Sequence, residues 1–214
     1  MLKLIQHKQI FFRQHYEKYI FISPNFGPAE STEDRNFRDE FVSAAKPSEV
    51  LFLDKIPSLS ELMEYVGTPA MKSLLLFDDM GIQVFQNSLI VDIFTYLSSH
   101  GQIDSIVSCH KGSGMAKLGK NFQIVFDQAN AIFVWRNLAD RDSISQISRK
   151  MFPKKASFLS DCLNLANKFL GPFSFLLIDC SISNGLNHRF SCRTNIFPTE
   201  ENPYPTIWFK NPYF

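Results

Sequence analysis

An α/β fold built on a mostly parallel core sheet and closed by a C-terminal antiparallel hairpin is what this sequence predicts, on three observations. Ser73-Leu-Leu-Leu-Phe-Asp-Asp79 is an unbroken apolar run ending in two carboxylates, the pattern of a strand buried on both faces that delivers acids at its C-terminal end. Around it, short apolar runs alternate with stretches of helical periodicity, the rhythm of β-α-β units. Near the C-terminus, Asn184-Gly185 is a turn signal between the apolar run 173–179 and residues 189–196, which read as paired antiparallel strands.

The elements follow in order. Residues 1–15 are irregularly helical, with Leu2, Ile5 and Phe12 able to share a face, and they lead into Lys18-Tyr-Ile-Phe-Ile-Ser-Pro24, a buried strand closed by Pro. Residues 25–48 are polar and Pro/Gly-containing apart from Phe26, Phe37 and Phe41, and read as a loop with a short helix from Glu33. Val50-Leu-Phe-Leu-Asp54 is the next strand, and 58–67 a helix capped by Ser58 or Ser60 and stopped by Gly67. After the strand at 73–79, residues 87–99 place Ile90, Ile93, Phe94 and Leu97 on one stripe behind Asn87 as cap, and 105–109 returns as a strand. A Gly-rich stretch at 111–119 precedes 121–126, and Ala131-Ile-Phe-Val-Trp135 is a further strand, expected in the same parallel sheet. Residues 142–151 read as a helix burying Ile144, Ile147 and Met151, and 156–169 as one burying Phe158, Cys162, Leu165 and Phe169, broken by Gly171-Pro172. The tail beyond Pro198 reads as an extended strap. No repeat or linker interrupts the chain, so one domain over 1–214 is expected, with a core at 1–155 and a C-terminal helix and hairpin at 156–214.

With 214 residues, 45% of them hydrophobic, the chain can bury a substantial core, and disorder is excluded as the default. Lys plus Arg is 22 against 21 for Asp plus Glu, so global charge points to neither nucleic acid nor membrane. The halves differ: residues 1–100 carry 9 basic and 13 acidic side chains, residues 101–214 carry 13 and 8. This is a modest polarity toward a basic C-terminal half. Cys109, Cys162, Cys180 and Cys192 form no C-x-x-C, and the opening residues mix Lys3, His7, Lys8 and Arg13 with apolar ones, unlike a secretory leader. A reduced, intracellular chain in cytoplasm or nucleus is expected. Cys180, His188 and Cys192 lack a fourth ligand at convincing spacing for a metal. The apolar helical run 88–98 contains Asp92 and is shorter than the roughly 20 residues a bilayer span needs, so no membrane partner is expected.

Four apolar residues followed by Asp78 and Asp79 have the form of a Walker B strand. There the first acid can hold the Mg²⁺ shell and the second can polarise an attacking water, whereas the bland reading is a solvated strand end. No G-x-x-x-x-G-K-[ST] occurs in the sequence; Gly112-Ser-Gly114 is followed by Met115-Ala-Lys117 with the wrong spacing. The chain therefore has carboxylates suited to Mg²⁺ but no phosphate cradle.

Taken in order, Phe21-Ile-Ser-Pro-Asn25, the run 74–79, Asn87-Ser-Leu, Ser99-His100, Arg136-Asn-Leu-Ala-Asp140 with Ser143 and Gln146, Met151-Phe-Pro153, Phe173-Ser-Phe-Leu-Leu-Ile-Asp179 and Arg193-Thr-Asn-Ile-Phe-Pro198 form a characteristic series. It resembles the genome-packaging ATPases of the FtsK–HerA superfamily, in particular those of polinton-like and adintovirus-like elements integrated in animal genomes. The resemblance runs from about Leu2 to about Trp208. It implies a P-loop NTPase-type sheet lacking its first, P-loop strand, since the Walker A motif of such relatives lies just before the helix that matches residues 2–14. That strand belongs between the 105–109 and 131–135 strands, so a gap there, or direct pairing of the two, is expected.

The resemblance also implies Mg²⁺ and ATP as cofactors, Asp78 as metal ligand, and Asp79 and His110 as catalytic groups. Double-stranded DNA, bound weakly and without regard to sequence, is the implied partner, and a homo-oligomeric ring the implied assembly. His110, within Cys109-His110-Lys111, stands where relatives carry a polar sensor Gln, and Gln123 stands where they carry an Arg. Gln123 cannot supply an arginine finger's charge, so a truncated or degenerate viral copy, inactive alone, is expected. The competing expectations are a non-enzymatic interaction module of the same fold and a weak nucleic-acid-binding protein. For the latter, Lys150, Lys154, Lys155, Arg189 and Arg193 are the candidate phosphate contacts, although the lysines also suit a solvated helix end and the arginines a soluble strand edge. Asp140 and Asp142 read as caps of the helix that follows.

Overall fold

The computed structural model describes residues 1–28, 30–67, 71–100, 102–108, 119–135, 141–172, 174–181, 190–203 and 205–210. The chain forms two compact units, the first made by Met1–Lys111 and Leu118–Val125, the second containing Phe126–Phe214. No helix among the described residues is long and apolar enough to cross a membrane.

The first unit is an α/β unit on a four-stranded, all-parallel sheet of β1 (Lys18–Ile22), β2 (Glu49–Leu53), β3 (Ser73–Phe77) and β4 (Ile103–Val107), in the order β2-β1-β3-β4. Parallel strands covered on both faces need apolar residues throughout, and all five residues of β3 are buried. One face of the sheet presents Tyr19, Phe21, Leu74 and Leu76, and packs against α1 (Leu2–Gln6) through Ile5 and α3 (Thr32–Ala45) through Phe41 and Ala45. Phe21 meets Phe26, Phe37 and Phe41 edge-on at ring distances of 5.2, 5.4 and 5.1 Å, contacts worth about 0.5–1.5 kcal/mol each beyond their burial. The other face presents Ile20, Ile22, Leu75 and Phe77 to α4 (Leu59–Val66) and to the helical run containing α5 (Gln83–Gln86), α6 (Leu89–Asp92), a π-helical segment (Ile93–Leu97) and α7 (Ser98–His100).

Several local signals act as expected. Ser58 and Glu61 form a capping box on α4, Gly67 ends it at φ +87, and Asn87 Oδ1 accepts the Leu89 N–H at 3.0 Å. The opening helix is broken at His7 into α1 and α2 (Lys8–Phe11). Lys8 Nζ donates to the carbonyls of Ala44 and Ala45 at 2.9 and 2.7 Å, placing a cation on the carbonyl end of α3. That helix is much longer than the short one expected from Glu33. Ser31 and Asp34 form a second capping box, and Phe37, Phe41 and Ala45 recur every fourth residue as its inner stripe.

The second unit is antiparallel. β5 (Ala131–Trp135), β6 (Phe175–Asp179), β7 (Ser191–Thr194) and β8 (Ile207–Phe209) form one sheet in chain order, with α9 (Arg141–Met151) and α10 (Phe158–Leu170) between β5 and β6. The expectation that Ala131–Trp135 extends the parallel sheet is therefore corrected: β5 pairs antiparallel with β6, Trp135 opposite Phe175 and Ala131 opposite Asp179. β4 and β5 do not pair, and β4 ends its sheet among the described residues. The hairpin partner at 191–194 is as expected, and within the tail read as an extended strap residues 207–209 form a strand, β8, paired with β7.

The stripe assigned to α10 is also corrected. Phe158, Leu159, Cys162, Leu163 and Ala166 are its buried residues, while Leu165 and Phe169 are exposed. The turn at Asn184-Gly185 lies outside the described residues. The boundary between the units falls within α8 (Gly119–Gln128), whose Phe122 and Val125 belong to the first unit's core.

Candidate functional site

The four parallel strands end level with one another, because Ile22 is in register with Leu53 and Phe77, and Phe77 with Val107. The ladder runs one residue further. Ser23 N–H donates to the Leu53 carbonyl at 2.9 Å, Asp78 N–H to that of Ile22 at 2.9 Å, and Ser108 N–H to that of Phe77 at 2.8 Å. Asp54, Ser23, Asp78 and Ser108 thus succeed one another across the carboxyl edge, with Asp79 just beyond Asp78. In parallel sheets this is the edge at which ligand crevices open.

Each position has a local cause. β3 lies between β1 and β4, so its backbone is held on both sides up to Asp78. Asp79 then takes a left-handed conformation at φ +55, which Asp tolerates better than most residues, and Gly81 takes a second at φ +58. That reversal leaves Asp78 half-buried and Asp79 exposed while returning Met80 to the core. On β1, the buried Ser23 hydroxyl accepts the Asn25 N–H at 3.4 Å and opens a 3-10 turn at Pro24–Phe26. A Cβ on Gly27 would lie 3.9 Å from Asp54 Oδ2, so this turn packs beside the end of β2.

The head of α1 comes to the same edge. Burial pushes the Met1 amino group below its usual range, and the Asp78 carboxylate pulls it partly back. Asp78 therefore sits close enough to the beginning of α1 for its charge to be felt there.

Mg²⁺ takes oxygen ligands, and proteins commonly hold it through one or two carboxylates while water and substrate phosphates complete its shell. Asp78 and Asp79 fit the protein's share of that arrangement. Among the described residues no group of three or more His, Cys, Asp or Glu is placed to hold a metal by itself.

The remaining candidates are dispersed. His110 lies outside the described residues, as do Cys109, Lys111, Asp140, His188 and Arg189, and the side chain of Asp142 is not described. Gln123 is exposed on α8. Lys150 is ion-paired with Asp127 and lies over the Phe126 ring, and Lys155 lies 5.9 Å from the Phe158 ring centre. Arg193 sits over Trp208. Lys150 and Lys155 are thus engaged with their own neighbours, whereas Arg193 has a ring beside it but no carboxylate among the described residues. Sequence reasoning did not single out Ser23, Asp54 or Ser108 as site residues. Ser23 and Asp54 are each the first polar residue after an apolar run, the same signal that singled out Asp78, whereas Ser108 follows only Ile106-Val107 in a strand that already contains Asp104 and Ser105. No family model, curated protein or solved structure matches this chain.

Proposed function

We propose that this chain is a nucleotide-hydrolase domain of the genome-packaging motor type, in which these 214 residues carry the carboxylate half of the site and the phosphate-binding segment lies outside them. The observation that supports this reading best is the position of β3. Among the described residues it is the one strand that ends in paired acids, it is buried on every residue, and it has parallel neighbours on both sides. The order β2-β1-β3-β4 adds to it, since it leaves the far side of β4 open for one more parallel strand among the described residues.

In this reading Asp78 would hold Mg²⁺, which would supply positive charge against phosphate oxygens, and Asp79, exposed and in a left-handed conformation, would orient the attacking water. Duplex DNA is the partner, gripped through phosphates and hence in a strongly salt-dependent way. The absence of a G-x-x-x-x-G-K-[ST] from the sequence makes the isolated chain inactive, because a hydrated Mg²⁺ on two carboxylates has no fixed phosphate oxygens to complete it.

Titration of the purified chain with Mg-ATP tests the last point: no binding is expected at micromolar nucleotide, and no hydrolysis above background. Turnover by the chain alone, abolished in Asp79→Asn, contradicts the missing-cradle account. It would place the phosphate site within this sequence.

A further inference from the structure

The antiparallel sheet has two unlike faces. Strand alternation puts Ile132, Val134, Leu176, Ile178 and Cys192 on the face toward α10, whose buried residues include Cys162. On the opposite face lie Phe133, Trp135, Phe175, Arg193 and Trp208, together with Leu177, which is buried. The chain's two tryptophans are both here, 56% and 57% exposed at Trp135 and Trp208. Large rings are usually buried, so two exposed on one sheet face mark a surface that meets a partner.

The arrangement says what kind of partner. Phe133 and Trp135 lie nearly parallel, 22° apart at 6.0 Å, and Phe175 joins them at 5.7 and 5.8 Å. Across the sheet, Phe133, Leu177, Arg193 and Trp208 are in register on successive strands, which separates the ring cluster from Trp208 by about 14 Å at ordinary strand spacing. Between the two stands Arg193, its guanidinium carbon 5.0 Å from the Trp208 ring centre. Its Nε is buried without a hydrogen-bond partner, and no carboxylate pairs with it among the described residues. Asp179, at the far end of this face, accepts the Ser181 N–H.

We propose that this face binds single-stranded nucleic acid, with bases stacking on Trp135 and Trp208 and the intervening phosphate taken by Arg193. An apolar protein surface would cover the rings but leave an uncompensated guanidinium in the interface, at a desolvation cost that a phosphate oxygen removes. The π-faces of bases match the rings, and the span suits about two or three nucleotides on a four-stranded sheet. A duplex hides its base faces and can offer only phosphates, so the face selects unpaired strands. The inference does not rest on nucleotide hydrolysis by the other unit.

Tryptophan fluorescence of the full chain reports directly. Oligothymidylate and oligouridylate, titrated at low salt, distinguish DNA from RNA as the source of the strand, and saturable quenching by either is the expected result. Trp208→Ala should weaken binding roughly 5- to 150-fold, the range for loss of one stacked base, and Arg193→Ala should weaken it and lower its salt dependence through loss of a phosphate contact. Arg193→Lys, which keeps charge and changes little volume, should lose affinity while retaining the salt dependence. Trp135→Phe leaves Trp208 as the sole reporter and guards against a folding defect in the other variants. Absence of quenching by both oligonucleotides, or equal quenching by duplex DNA of the same length, overturns the proposal. So does a tryptophan signal that changes with protein concentration alone, which would assign the face to a second copy of the chain.

Discussion

The Tyr16 hydroxyl donates to Asp104 Oδ2 at 2.6 Å, joining the segment before β1 to β4, the strand on the far side of β3. Gln14 Nε2 donates to the same carboxylate oxygen, so one acid on the edge strand gathers two donors from the chain entering the sheet. Tyr16 is itself buried, and its ring meets Phe12 at 5.3 Å and Tyr19 at 6.0 Å. Tyr16→Phe keeps the ring packing and removes one donor to a charged acceptor, so a loss of about 1–3 kcal/mol in urea unfolding is expected. A variant as stable as the parent would show that Asp104 is served equally well by water.

Alkaline pH should weaken the fold. Burial, aided by the Asp104 hydrogen bond, raises the Tyr16 phenol above its ordinary value of 10, and burial pushes the Cys162 thiol from 9 to about 12 and raises the Cys192 thiol as well. In each case the folded state holds its proton to higher pH than the unfolded chain. The stabilisation is complete below the unfolded values and is lost as pH rises through the folded ones, so stability should be level near neutrality and fall from about pH 9 upward. Denaturation midpoints between pH 7 and 11, in the presence of a reductant, check the sign. Cys192→Ala should flatten the alkaline limb, whatever it costs at neutral pH.

Asp79 offers a test of backbone that is separate from chemistry. Because its side chain is exposed and its φ is +55, Asp79→Asn should leave stability within about 0.5 kcal/mol, whereas Asp79→Val should cost roughly 1–2 kcal/mol for forcing a β-branched residue into the left-handed region. Equal stability of the two variants would mean that the turn after β3 relaxes freely.

How far the sequence disclosed this arrangement depends on whether a signal is local. Burial of Leu74, Leu75 and Leu76 on both faces was legible because an apolar run without alternation has few other uses, and Asp78 and Asp79 were legible because acids end that run. The caps at Ser58 and Gly67 were legible for the same reason, being fixed by near neighbours. Pairing direction was not. Ala131–Trp135 reads like any buried strand, and only its partner, Phe175–Asp179, some forty residues away, makes it antiparallel. Helix α3 was underestimated because its mean character is polar, although Phe37, Phe41 and Ala45 mark an inner stripe. On α10 the choice of stripe was wrong at Leu165 and Phe169, where hydrophobicity alone could not say which side faces the sheet.

The central claim, that the carboxyl edge at Asp78 is half of a nucleotide site opening beside β4, is tested most directly by supplying the other half. A strand and phosphate-binding loop of Walker A type, joined ahead of Met1, should pair with β4, and amide exchange at Ile103–Val107 should slow as that edge is covered. The joined chain should then bind Mg-ATP in the micromolar range, with Asp78→Ala abolishing the Mg²⁺ dependence and Gln123 still limiting hydrolysis. A joined chain that protects β4 yet binds no nucleotide would contradict the account.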